Sequence, residues 1–219
     1  MKIIDDDNKK LYWWNRNWFY VVTLAIVIVN IVIYGTVGYR WAISLGNRNP
    51  RWTAVLNYQN IICAFFTAFA HAGWDHVLLN MLCFLVVGTY LERKLGSVKF
   101  LSLVLVMTFF TGVTTGANDL DVFAVGFSGV NYGLYAYLLV DYCFSFGKQT
   151  RNKANIIYGA IVIALIYFAM CYNDNTGWFT WYPCDFMRNS GHYSSFLAGI
   201  ILTLTIKIVK IWHKKELKS

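Results

Sequence analysis

Six apolar runs separated by short polar segments set the pattern of this chain: residues 18–39, 74–91, 100–116, 128–146, 156–172 and 191–209. A helix needs about 20 residues to cross roughly 30 Å of hydrocarbon, and each run approaches that length. The pattern predicts an all-α, polytopic membrane protein with six transmembrane helices. Residues 1–17 mix Asp5, Asp6 and Asp7 with Lys9, Lys10 and Arg16 and read as a solvated tail. The membrane domain is expected over 18–211, and 212–219 form a second, basic tail. Residues 40–73 interleave Arg40, Arg48 and Arg51 with Trp41, Trp52, Phe65, Phe66 and Phe69, as an interfacial, partly inserted loop does. No cleavable signal peptide is expected, because the first seventeen residues are polar and aromatic and the first apolar run is long enough to span.

Composition agrees with this picture. The 219 residues are 58% hydrophobic and 14% charged, whereas a soluble domain carries roughly 25% charged residues. A net charge of +8 would suggest nucleic acid in a soluble protein. Here the basic residues sit between apolar runs, where they orient a membrane protein, so no nucleic-acid partner is expected. Lys2, Lys9, Lys10, Arg16, Arg93, Lys94, Lys99, Lys148, Arg151, Lys153, Lys207, Lys210, Lys214, Lys215 and Lys218 fall on one side. Only Arg40, Arg48, Arg51 and Arg188 fall on the other. The positive-inside rule then puts both termini in the cytoplasm and the segments 117–127 and 173–190 outside. Cys63, Cys83, Cys143, Cys171 and Cys184 lack CxxC spacing and read as small buried side chains, with a Cys171 to Cys184 pairing as a minor alternative.

Polar residues inside apolar runs carry the chemical signal, because they are costly in a bilayer. Ser128 opens the fourth run within Gly126-Phe127-Ser128-Gly129-Val130-Asn131-Tyr132-Gly133. Gly126 and Gly129 on either side leave room for a substrate backbone, and Gly129 and Gly133, four apart, share a helix face on which another helix can pack closely. His192 opens the sixth run in the same outer leaflet, and a serine with a histidine makes a candidate nucleophile and base. His76 and Asn80 lie four apart near the start of the second run and can donate to a common point, as an oxyanion requires. The plainer role for the pair is to stitch two helices together. Tyr132 falls one turn below Ser128 on the same face, where its ring can support His192 or simply pack. His71 precedes the second run and is read as ordering the loop before it. A metal site of His71, His76 and His192 lacks a carboxylate or thiolate in the same layer, so no metal is expected. Asp141 falls at the cytoplasmic end of the fourth run and Asp174 and Asp185 in a loop, so no acidic partner is expected and a Ser-His dyad remains.

These pieces, in this order, resemble the rhomboid intramembrane serine proteases in their basic six-helix bacterial form. The matching stretches are Phe69-Ala70-His71-Ala72-Gly73-Trp74-Asp75-His76-Val77-Leu78-Leu79-Asn80-Met81; Gly88 with Leu91-Glu92-Arg93-Lys94-Leu95-Gly96-Ser97; Gly126-Phe127-Ser128-Gly129 with Tyr132-Gly133-Leu134; and His192 with Gly199. The resemblance implies a serine endopeptidase of the bacterial inner membrane that cuts transmembrane segments of other proteins near the outer face, without cofactor. Ser128 would be the nucleophile and His192 the base. His76, Asn80 and the Ser128 amide would form the oxyanion pocket, Tyr132 would stack on His192, and Glu92 would tie down the adjoining loop. Two positions depart from the family pattern: Ile62 and Cys63 stand where a Trp-Arg pair is common, and Ser195 where glycine is common. The alternative is a catalytically silent rhomboid-like protein that binds transmembrane helices; such proteins typically lack the serine or the histidine. A six-span transporter fits less well, since nothing outside the outer-leaflet cluster offers a mid-membrane ion site.

Overall fold

The computed structural model describes residues 3–4, 10–11, 20–46, 62, 65–118, 125–149, 160, 163–164, 167–168, 170–173, 178–179 and 190–216. Five long helices dominate them: α1 (Val21–Gly46), α2 (Trp74–Leu95), α3 (Ser97–Asn118), α4 (Ser128–Gln149) and α5 (Ser190–Glu216). Two antiparallel ladders of two residues per strand accompany the helices: β1 (Ile3–Ile4) with β2 (Lys10–Leu11), and β3 (Tyr172–Asn173) with β4 (Trp178–Phe179). Three helical stretches, Val21–Trp41, Trp74–Leu95 and Gly191–His213, are long and apolar enough to cross a membrane. A fourth, Ser97–Gly112, is apolar but shorter.

The helices outrun the apolar runs that announced them. α1 continues past the expected end at 39, with a break at Gly38, where φ of 57° and ψ of −154° suit a residue without a side chain. α2 runs on through Glu92, Arg93 and Lys94 to Leu95 before Gly96, with φ of 81°, turns the chain into α3. Hydropathy ends where charge begins, but backbone hydrogen bonding does not, so the polar last turn stays helical. The expected fifth span, 156–172, lies largely outside the described residues, though 160, 163–164, 167–168 and 170 are helical. Cys184 and most of the outer segments also lie outside them.

Large side chains fill the centre. Phe84 of α2, Phe100 of α3 and Phe127, just before α4, are fully buried. Phe84 packs edge-on to Phe127 at 4.9 Å and stacks on Phe100 at 6.0 Å between ring centroids. Such packing matters more here than in water, because lipid tails give helices little hydrophobic reason to associate. The most extensive contact among the described helices is that of α4 with α5. Glycine makes it possible: a Cβ on Gly199 of α5 would overlap the Gly133 carbonyl and lie 2.8 Å from the Ala136 Cβ of α4.

The small-residue face of α4 is shared rather than reserved for α5. A Cβ on Gly129 would run into Thr111 of α3, and one on Gly133 would meet both Met107 of α3 and the Ser195 carbonyl of α5. Ser195 itself is fully buried and bonds the Thr111 hydroxyl at 2.8 Å. Its hydroxymethyl group thus turns toward α3, and α4 and α5 stay in contact beside it.

Two buried charged groups fasten the far end of the bundle. The Glu92 carboxylate accepts from the amides of Val22 and Thr23 at 3.0 and 2.9 Å and from the hydroxyls of Thr23 and Ser97 at 2.7 Å each. It caps the first turn of α1, where unsatisfied N–H groups and the helix dipole favour an anion. Asp141 of α4 is paired with Lys94 of α2 and with Lys207 of α5, the latter at 2.6 Å. Three helices are thereby held at one level.

Candidate active site

The turn before α4 explains where Ser128 sits. Gly126 has φ of 117°, a conformation that side chains rarely adopt, and its amide donates to the Thr67 carbonyl at 3.0 Å. Phe127 buries its ring and donates its amide to His71 Nε2 at 3.4 Å. The chain is thus hung on the 67–71 loop just before Ser128 begins the helix. A hydroxyl at a helix start faces unsatisfied amides and the positive end of the dipole.

His192 of α5 comes to meet it. Its Nε2 lies 2.7 Å from Ser128 Oγ, within ordinary hydrogen-bond range. The imidazole is buried at 3% exposure and stacks on Tyr132, with centroids 4.3 Å apart and planes inclined by 25°. Tyr132 is one turn past Ser128, so the same helix supplies the hydroxyl and the surface that fixes the ring facing it.

His76 and Asn80 reach the site from α2. A Cβ on Gly126 would lie 2.8 Å from both Cε1 and Nε2 of His76 and 3.6 Å from Asn80 Nδ2. Both side chains therefore lean over the backbone two residues before Ser128, and only glycine leaves them room. Asn80 Nδ2 also donates to the His76 carbonyl at 3.0 Å.

His71 is built into the site's frame. Its ring is edge-on to His76 at 5.2 Å, and it is 1% exposed. Burial, with the neighbouring His76 adding to it and the Phe69 backbone opposing it, lowers its pKa to about 3. A neutral ring suits Nε2 as an acceptor for Phe127. Between that value and the ordinary 6.5 the unfolded chain binds the extra proton. This share of stability is complete above the unfolded pKa and is lost as pH falls toward the folded one. Tm in detergent is expected to drop between about pH 7 and 5, and His71→Gln to flatten that drop. An unchanged slope in the variant would remove His71 from this role.

The structure thus gathers Ser128, His192, Tyr132, His76, Asn80, Gly126 and Gly129 at one end of α2, α4 and α5. Among the described residues no three His, Cys, Asp or Glu side chains cluster as a metal site would require. Sequence reasoning passed over three contributors: Thr67, which holds Gly126; Thr111, which meets Gly129 and Ser195; and Asn131, which bonds Asn80. Only Asn131 carried a signal, as an amide inside an apolar run.

Known proteins share this chain's sequence features. The family model described as the Rhomboid domain matches residues 58–208. A protein named Rhomboid protease GlpG from Salmonella choleraesuis is 28% identical over 152 residues, which cover 68% of this chain and 49% of that one. Proteins of the same name from Salmonella newport and Salmonella typhi are 27% identical over the same length and coverage. The chain spans about half the length of these curated relatives. With the family match running through most of the sequence, from the loop before α2 into α5, this integral membrane protein belongs to the rhomboid family.

Proposed function

We propose that the chain is an intramembrane serine endopeptidase, a reading carried by the 2.7 Å contact between His192 Nε2 and Ser128 Oγ. His192 takes the hydroxyl proton as Ser128 attacks a peptide carbonyl, then gives it to the leaving amine. Water, activated by the same imidazole, releases the acyl-enzyme. The charge on the carbonyl oxygen is met by His76, Asn80 and the Ser128 amide, donors worth on the order of 10² to 10³ each in rate. Tyr132 holds the imidazole in the plane the transfer needs, and Gly126 and Gly129 give the substrate backbone its path. No cofactor is required for any of these steps.

The same reading completes the topology. Six spans cross the bacterial inner membrane with both termini in the cytoplasm, and the site opens outward so that water reaches it beside lipid. Substrates are transmembrane segments of other proteins, cut near the outer face where Gly or Pro weakens the helix.

Access is lateral, past the fifth span. Tyr167 and Phe168 are 53% and 52% exposed, which supports a gate facing lipid. Replacing either by Ala is expected to speed cleavage several-fold. Unchanged or slower turnover would argue against the gate.

The reading is tested by reconstituting the protein and its Ser128→Ala variant with a single-span test substrate. Cleavage by the first and none by the second supports it. A folded wild type that leaves the substrate intact would favour the silent, helix-binding alternative.

A further inference from the structure

Asn131 has no part in the dyad, yet it is among the most thoroughly buried polar side chains near it, at 2% exposure. It lies on α4, one turn past Ser128, in contact with α2. Its Nδ2 donates to two oxygens of one residue: the Asn80 carbonyl at 3.0 Å and Asn80 Oδ1 at 3.4 Å. Asn80 Nδ2 in turn donates to the His76 carbonyl at 3.0 Å and lies 3.6 Å from where a Cβ on Gly126 would be.

These contacts leave the Asn80 carboxamide one favourable orientation. Turned over, its oxygen would oppose the His76 carbonyl and its NH₂ would oppose the Asn131 donor, two repulsions in place of two bonds. We propose that Asn131 is a positioning residue which fixes the Asn80 carboxamide with its donor end toward the pocket above Gly126. This rests on the protease reading, in which Asn80 stabilises the oxyanion. A carboxamide has donor and acceptor ends of nearly equal size, so packing alone does not choose between them.

Asn131 serves poorly as mere helix glue. Among the described residues its own Oδ1 is buried with no hydrogen-bond partner, a cost that offsets much of what its two interhelical hydrogen bonds return. An apolar residue of similar size removes that orphan but also takes the donor from Asn80 Oδ1, so the stability of the fold should change little. Its cost would fall on the reaction.

The test is a double-mutant cycle of Asn131→Val and Asn80→Ala, read as kcat and KM for a single-span substrate in proteoliposomes, with Tm in detergent alongside. Asn131→Val is expected to lower kcat by roughly ten- to a hundredfold, below the full loss of an oxyanion donor. KM and Tm should change little, and Asn131→Val should cause no further loss once Asn80 is Ala. Asn131→Ala carries the same expectation for the cycle if the valine variant does not pack. Unchanged kcat, or an equal loss in both Asn80 backgrounds, overturns the assignment and leaves the protease reading standing. A wild type that cleaves nothing overturns that reading and this one with it.

Discussion

His192→Ala is expected to reduce kcat for a transmembrane substrate by about 10⁴-fold or more, leaving the small residual rate that binding and oxyanion donors sustain. The reason is geometric. Among the described residues, the imidazole is the one base in hydrogen-bond contact with Ser128 Oγ, at 2.7 Å, and a serine hydroxyl is a weak nucleophile without one. KM should move much less, since the imidazole touches the proton in flight rather than the body of the substrate. Tm should fall only modestly, because the fastening of the bundle by Glu92 and Asp141 is remote from the site. Initial rates in proteoliposomes check this. A loss of less than tenfold in a folded variant would remove His192 from the role of base.

Gly199→Leu is expected to prevent stable folding, and Gly199→Ala to lower Tm by roughly 3–10 °C, the overpacking of one buried site in a chain of this size. Even one methyl at this position overlaps the Gly133 carbonyl and lies 2.8 Å from Ala136 Cβ. Backbone cannot step aside as a flexible side chain can. The helices must part, and they are the two that carry Ser128 and His192. Gly199→Ala should therefore lose kcat along with stability, whereas most small packing defects cost stability alone. Thermal unfolding in detergent with parallel rate measurements checks both, and an alanine variant with wild-type Tm would contradict the close packing of α4 on α5.

Membership of the rhomboid family was legible because chemistry in a membrane stands out. Ser128, His76, Asn80 and His192 are polar groups in apolar runs, and their spacing and order are specific. The helix starts were also close to the hydropathy edges: 74 and 128 coincide with the start of α2 and α4. The ends were less so, because the last turns hold Arg93, Lys94 and other charged residues that hydropathy excludes but the backbone does not.

Contacts between segments distant in sequence were not legible. Nothing in the pattern says that Thr67 and His71 hold the amides of Gly126 and Phe127, or that Gly129 meets Thr111 of α3 before any residue of α5. Such pairings depend on the relative rotation of helices, which periodicity along one helix leaves free. Ser195 shows the consequence: its departure from the family's usual glycine gives no hint of Thr111, which provides its hydroxyl with a partner at 2.8 Å.

Whether Ser128 is a nucleophile activated by His192 is decided by treating the detergent-solubilised protein with a fluorophosphonate and mapping the adduct by peptide mass spectrometry. The expected result is one adduct, on Ser128, absent from Ser128→Ala and formed far more slowly in His192→Ala. A folded wild type without an adduct, or with one on another serine, would mean that Ser128 is not the activated nucleophile.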